Sequence, residues 1–432
     1  MVEFATYFIV MAGRFVINGG KPLYGTVGVA GAKNAVLKLI AACLLTKESC
    51  TLHNIPDISD VSQMLAILES MGVRVERPQK GTVSIAADRV DPKNIATSLV
   101  SKLRASVVLL GPLLVRFGEI RLPYPGGDRI GARPLDAHRS IFEQFGAEII
   151  SWDTLLHLRI PRNGLRPGRI VLPEFSVTAT ENAMLTASLL PGKTMLHIAA
   201  AEPHVQDLAA LLVRMGINIQ GAGTHDLIIF GEKTLSGATH TTIPDPLDAA
   251  TFLIFGAATR GEIEICGARE DHLLLVLEKL KEMGVGLKVD GSSISVSGKG
   301  QLRATRRIQA MPYPGIPSDL QALFAVLATQ AEGETQIHDP LFEGRFLYVN
   351  ELKRMGAAAE QHNSHEALIR GVTKLSGMRI SSFDIRAGAA MVLAGLIAEG
   401  ETVIEGIEHI DRGYEDFDGR LRGLGADITR LP

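Results

Sequence analysis

The sequence predicts an α/β protein of two domains, each built from three repeated units with helices at the centre and sheets outside. Three observations carry this expectation. A hydrophobic residue followed by glycine recurs six times, as Met71-Gly72, Phe145-Gly146, Met215-Gly216, Met283-Gly284, Met355-Gly356 and Leu424-Gly425. The pairs lie about 70 residues apart, and so regular a spacing marks an internal repeat. Each pair follows a helical apolar pattern and precedes an apolar strand start, which reads as a helix stopped by a left-handed glycine and then a strand. The second observation is that each unit opens with a helix that is apolar on every face, and such a helix is buried. The third is that the last unit breaks off early, with strand-like segments at the N-terminus to complete it.

The six apolar helices run over Lys33–Leu45, Ala105–Phe117, Ala183–Leu190, Ala249–Thr259, Leu320–Thr329 and Gly388–Ala398. After Gly425 the chain offers only Ala426-Asp427-Ile428 before Pro432, whereas other units continue with a second strand such as Ser84–Ala86 or Leu227–Ile229. Arg14–Ile17 and Gly25–Val29 are therefore expected to complete unit six. The expected domains are residues 33–242, and residues 1–32 with 243–432. The chain crosses between them at Gly31-Ala32 and at Ile243-Pro244-Asp245-Pro246, which leaves a cleft suited to a ligand.

At 432 residues the chain is too long for one ordinary core. Its net charge of −3 implies no general attraction to nucleic acid or an acidic membrane, so any anion site is a local cluster. Cys43, Cys50 and Cys266 form neither a disulfide framework nor a metal spacing, which points to a reducing cytoplasm. The apolar Phe4–Met11 segment is too short to span a membrane and has no basic residue ahead of it, so no membrane insertion is expected. No Walker loop, no GxGxxG after a strand and no metal-ligand cluster is present in the sequence.

Charged residues gather at the mouths of the central helices. Lys33-Asn34 opens the first, where free N–H groups and the helix dipole favour an anion. Arg104 precedes the second. Ser176-Val177 precedes the third, either to bind a diphosphate or to cap the helix. Asp319 precedes the fifth, as a general base or an N-cap. Asp384-Ile385-Arg386 precedes the sixth, and Asp411-Arg412 lies in the loop that follows it. Pro125–Asp136 holds three glycines and two arginines without an apolar period. It reads as a lid over an anionic substrate or as a solvated loop. If the two domain ends face each other, Lys33, Arg104, Arg133, Arg345, Arg386 and Arg412 converge on a multiply anionic small molecule. Asp128 and Asp319 are then the acid–base candidates. His138 and His204 read as structural.

Four stretches carry a resemblance: Gly31–Ala35, Pro125–Pro134, Phe342–Phe346 and His409–Tyr414. In them the chain resembles the UDP-N-acetylglucosamine 1-carboxyvinyltransferases, within the enolpyruvyl transferase (EPSP synthase) family. The resemblance runs from about Arg14 to Leu431 and implies two inside-out α/β barrels. It also implies transfer of the enolpyruvyl group of phosphoenolpyruvate to the 3′-hydroxyl of UDP-N-acetylglucosamine, with no cofactor or metal, as the first committed step of peptidoglycan synthesis. Lys33 and Asn34 would hold phosphoenolpyruvate, with Arg133 and Arg412 at its phosphate and Arg386 at its carboxylate. Arg104, Arg345 and Asp384 would line the substrate. Pro134, Leu135, Asp136 and Ala137 match a uridine-binding run, Ser176 and Val177 a diphosphate contact, Leu341 a further sugar-nucleotide contact, and Asp319 the acid near the attacking hydroxyl. Asp128, Asp319, Lys33 and Arg412 form the catalytic set. Many members carry cysteine at Asp128, the proton donor, so resistance to fosfomycin is expected. Ala137 replaces a common leucine, and Lys38 a common proline with no role evident from the sequence. The alternatives are the same chemistry on another hydroxyl acceptor, or an inactive nucleotide-sugar binder.

Overall fold

In the computed structural model the described residues are 13–127 and 130–432. They form six small sheets, five of four strands and one of three. A common plan underlies them: a short strand, a buried helix, a strand parallel to the first, an outer helix and an antiparallel hairpin. In unit five these are Arg307–Gln309, the Gln321–Ala328 helix, Gly333–His338, the Tyr348–Arg354 helix, and Ala358–Asn363 with Glu366–Gly371. Alternate residues of the strands are buried, as sheets covered on one face require. All six repeat glycines have positive φ, from 84° at Gly284 to 107° at Gly216, so the left-handed stop predicted for each outer helix is present.

The N-terminal strands divide their allegiance, which corrects the expectation that both complete unit six. Strand β1 (Arg14–Asn18) lies between Glu401–Glu405 and Asp427–Leu431 and pairs antiparallel with both. Strand β2 (Tyr24–Gly28) pairs parallel with Glu262–Cys266 of unit four. The plan explains the split. Unit six already has its parallel edge strand, Arg379–Ser381, and lacks only an antiparallel one. Unit four lacks its parallel edge, because Thr239–Thr241 pairs with β3 (Ser49–His53) of unit one instead. In unit two the segment before the central helix coils into short helices, Pro92–Asn94 and Thr97–Val100, and its sheet stays at three strands.

The central helices are α1 (Lys33–Ala42), Leu110–Phe117, Val177–Ser188, Pro246–Ala258, Gln321–Ala328 and Ile385–Ile397. The third begins six residues before the apolar pattern because its first turns are polar: Thr180, Glu181 and Asn182 are wholly buried nonetheless. Asn182 explains part of this. Its side chain accepts from the Gly111 N–H at 2.9 Å, donates to the Val107 carbonyl at 2.9 Å and meets His138 Nδ1 at 3.0 Å. Burial pushes the His138 imidazole down to about 3, and it serves as a neutral structural link.

Two separate apolar cores result. One joins residues from Val36 to Leu235, the other Phe15–Val27 with Leu247–Ile428. The chain passes between them on two antiparallel segments. The Ala32 N–H donates to the Ile243 carbonyl and the Asp245 N–H to the Ala30 carbonyl, each at 2.8 Å. Gly31 sits in this crossing against the Asn54 carbonyl, and an added Cβ would lie only 1.8 Å from that oxygen, so no side chain fits.

Candidate active site

The two crossings place the mouth of α1 directly against the second half of the chain. Asp245 makes the junction. One of its oxygens caps the Pro246–Ala258 helix through the Leu247 N–H at 2.8 Å, and the other accepts the Lys33 N–H at 3.3 Å. A single carboxylate thus organises the starts of two central helices, one from each half.

Lys33 is buried, and its ammonium lies 2.7 Å from Asp60 Oδ2. Asp60 comes from the start of outer helix α2 (Ser59–Ser70) and is buried as well. Its other oxygen accepts from Arg412 Nε at 2.9 Å. Arg412 belongs to the second half, so Asp60 joins cations from both. Burial pushes the Lys33 ammonium down from its ordinary value against the opposing pull of Asp60. Burial pushes the Asp60 carboxyl up, but Lys33 and Arg412 together outweigh it and hold it below the usual carboxylate range.

A second network lies beside the first. Arg345 Nη2 is 2.6 Å from Asp319 Oδ1, and Arg386 Nε is 3.5 Å from Asp319 Oδ2. The Arg386 guanidinium also stacks over the Tyr414 ring at 4.8 Å, and the Tyr414 hydroxyl meets Thr251 Oγ1 at 2.9 Å. About a quarter of the Asp319 side chain is exposed, yet protein surrounds it. Burial would raise its carboxyl, but Arg345 and Arg386 overcome that and hold it well below the carboxylate range. Lys33 contributes to this field, which ties the two networks together. Lys33, Arg345, Arg386 and Arg412 thus gather about Asp60 and Asp319, a cluster of cations suited to a small polyanion. In this arrangement Asp319 holds two arginines and is a weak base.

The lid meets both halves. Arg104 donates to the Pro125 carbonyl at 3.3 Å and to the Arg133 carbonyl, and lies over the Tyr124 ring at 5.6 Å. It braces both ends of the loop rather than pointing unengaged into the cleft. At the tip, the Ala132 N–H donates to Glu343 at 2.6 Å and the Gly344 N–H to the Ile130 carbonyl at 3.1 Å. Gly344 fits so tightly that an added Cβ would lie 2.6 Å from the Gly131 nitrogen. Asp128 lies outside the described residues. An open groove of about 450 Å³ runs past the lid base between the halves, lined by Ser59, Gln63, Lys102, Gly127, His409 and Arg412 among others.

The remaining sequence candidates separate by geometry. Asp384 caps the Ile385–Ile397 helix through the Arg386 and Ala387 N–H groups at 2.7 and 2.8 Å, a local duty that presents Arg386. Ser176 stands at the N-cap of the Val177–Ser188 helix, and its hydroxyl makes no capping hydrogen bond there. The side chains of Leu135 and Ala137 point into the first core, leaving only their backbone for a ligand. Pro134 and Asp136 are exposed, Leu341 is 42% exposed, and Asn34 and Val177 are half-buried. Among the described residues, no group of three or more His, Cys, Asp or Glu side chains is placed to hold a metal. The sequence reading missed Asp60 and Glu343. It gathered cations and overlooked that buried guanidiniums need carboxylates; the acid in the first turn of α2 was the available signal.

Comparison with known proteins agrees with this architecture over nearly the whole chain. Residues 17–421 match the family described as EPSP synthase (3-phosphoshikimate 1-carboxyvinyltransferase). The UDP-N-acetylglucosamine 1-carboxyvinyltransferase of Koribacter versatilis is 43% identical over 422 residues, covering 97% of this chain and 96% of that protein. Its counterpart from Methylacidiphilum infernorum is 43% identical over 423 residues, covering 97% and 99%. Among solved structures, the enolpyruvyl transferase NikO from Streptomyces tendae superposes with a TM-score of 0.87 at 25% identity, covering 98% of this chain and 100% of that one. An EPSP synthase from Acinetobacter baumannii, 21% identical, shares the fold with a TM-score of 0.72 over 97% of this chain and 100% of that one. With its six-unit plan and its matched length, the chain belongs to the EPSP synthase family of enolpyruvyl transferases, on the side of the UDP-N-acetylglucosamine 1-carboxyvinyltransferases.

Proposed function

We propose that this chain transfers the enolpyruvyl group of phosphoenolpyruvate to the 3′-hydroxyl of UDP-N-acetylglucosamine and releases phosphate. The observation that carries the reading is the cluster of buried and half-buried cations, Lys33, Arg345, Arg386 and Arg412, around Asp60 and Asp319, where the two halves meet. The relatives at 43% identity are named for this reaction. In the addition step the sugar hydroxyl bonds to C2 of phosphoenolpyruvate, C3 gains a proton, and the hydroxyl proton leaves to a base. In the elimination step C3 loses a proton and the C2–O bond to phosphate breaks. Lys33 and Arg412 neutralise the departing phosphate and Arg386 the carboxylate, while Lys33-Asn34 at the helix mouth orients the substrate. Asp319 is the acid beside the attacking hydroxyl; substrate that draws Arg345 or Arg386 away would restore its basicity. Arg133, Ser176, Val177 and Leu341 contact the two substrates. Both substrates are cytoplasmic metabolites, and the reading places the enzyme with them, at the entry to peptidoglycan synthesis.

We assign the proton donation at C3 to Asp128. A carboxylate is a poorer nucleophile than a thiolate toward an epoxide, so fosfomycin with UDP-N-acetylglucosamine leaves no covalent adduct by mass spectrometry, whereas Asp128→Cys gains one. An adduct on the unsubstituted chain would remove the assignment. The activity is tested by phosphate release from phosphoenolpyruvate. Release that requires UDP-N-acetylglucosamine supports the reading. Release only with shikimate 3-phosphate, or tight sugar-nucleotide binding without release, would overturn it.

A further inference from the structure

Lys38 lies one turn after Asn34 on α1, among the fully buried Leu37, Leu39 and Ile40. Only 4% of it is exposed. Its ammonium donates to the Asn34 carbonyl at 2.7 Å and lies 3.5 Å from Glu181 Oε2, on a side chain that is wholly buried. Neither Glu181 oxygen has a hydrogen-bond partner among the described residues. Burying an ammonium beside an acid in this way costs more than an apolar pair of the same volume, so the pair makes poor sense as a stabilising device. Its contacts indicate another use. Helical side chains lean toward the N-terminus, so Lys38 carries its charge back to the turn that presents Lys33 and Asn34. Glu181 sits on the helix that opens at Ser176-Val177. The helix Pro203–Arg214 packs against both, and its leading residues Glu202 and His204 complete the polar cluster: Glu202 acts on Glu181, and His204 feels both Lys38 and Asp319.

We propose that Lys38 is a positioning residue for Asn34, with Glu181 as the buried carboxyl partner that locks the mouth of α1 to the mouth of the Val177–Ser188 helix. The inference rests on the reading of Asn34 as a substrate contact. It links the phosphoenolpyruvate end of the cleft to the diphosphate end through the interior, so that the two substrate positions keep a fixed spacing.

The test compares Lys38→Met and the double variant Lys38→Met/Glu181→Met with the unsubstituted chain. Phosphate release by the unsubstituted chain checks the functional reading separately, and amide hydrogen exchange in the first turn of α1 reports positioning without any turnover. Lys38→Met is expected to raise KM for phosphoenolpyruvate about tenfold, the scale of one lost charge-assisted hydrogen bond, with a smaller effect on kcat, and to speed exchange at residues 33–38. The double variant is expected to recover thermal stability while KM and exchange stay raised. Recovery of all three in the double variant would reduce the pair to packing. Unchanged KM and exchange in both variants would also overturn the proposal.

Discussion

Asp60 is a residue the sequence did not point to, and it is the shared partner of Lys33 and Arg412. Asp60→Ala leaves two cations facing each other in a partly desolvated site. Losing one member of a buried charge pair costs about 3–5 kcal/mol. Urea unfolding of Asp60→Ala is expected to show a loss on that scale, and phosphoenolpyruvate to stabilise this variant more than the parent, since its phosphate would supply the missing charge. Glu181 makes the opposite statement about pH. Burial raises its carboxyl to about 8, against the partial opposition of Lys38. The folded state therefore holds a proton that the unfolded state has already lost above about 4.5, the ordinary value. Stability contributed at this position falls as pH rises through that window. Glu181→Gln is expected to unfold at higher urea than the parent at pH 8, with the difference closing toward pH 5; an equal difference at both pH values would refute the assignment. Of the site, the cations were legible because helix mouths are readable from apolar patterns. Asp60, Glu181 and Glu343 were not, because a carboxylate at a helix start or in a loop reads as a cap or a solvated acid until its partners from distant segments are known.

At the level of elements, the repeats were legible and the strand partners were not. The hydrophobic–glycine pairs record a local event, a helix stop, and local events leave local signals. The placement of β2 depends on which sheet has a vacant edge, and that is settled more than two hundred residues away at Glu262–Cys266. The early start of the Val177–Ser188 helix was hidden for a related reason: its buried Asn182 is satisfied by groups on other helices. The lid belongs to this scale as well. Glu343-Gly344 holds its tip by two hydrogen bonds, one through the Glu343 carboxylate and one through the Gly344 N–H, and Gly344 has no room for a side chain. Gly344→Val is expected to lower turnover about tenfold or more by holding the lid off its seat, since small misplacements of catalytic groups are costly. Its melting temperature should stay within a few degrees of the parent. Steady-state kinetics and calorimetry check the two halves of this expectation, and full activity would show that the seat is not needed.

For the whole molecule, the cleft is bounded by two bodies with separate cores, linked by two short crossings and bridged by Asp60–Arg412, Lys80–Glu415 and the lid tip. These three bridges are polar. Binding of UDP-N-acetylglucosamine is expected to shift the molecule toward the closed form. Small-angle scattering should record a smaller radius of gyration on adding it, and an unchanged radius with binding separately confirmed would count against closure. The position of β1 bears on how the protein is made. It leaves the ribosome well before either of its neighbours, Glu401–Glu405 and Asp427–Leu431. At about 5–20 residues per second, the strand waits tens of seconds with both edges unpaired. During that time the second half of the molecule cannot close its sheet, and the newborn chain depends on whatever shields a waiting strand in the cell.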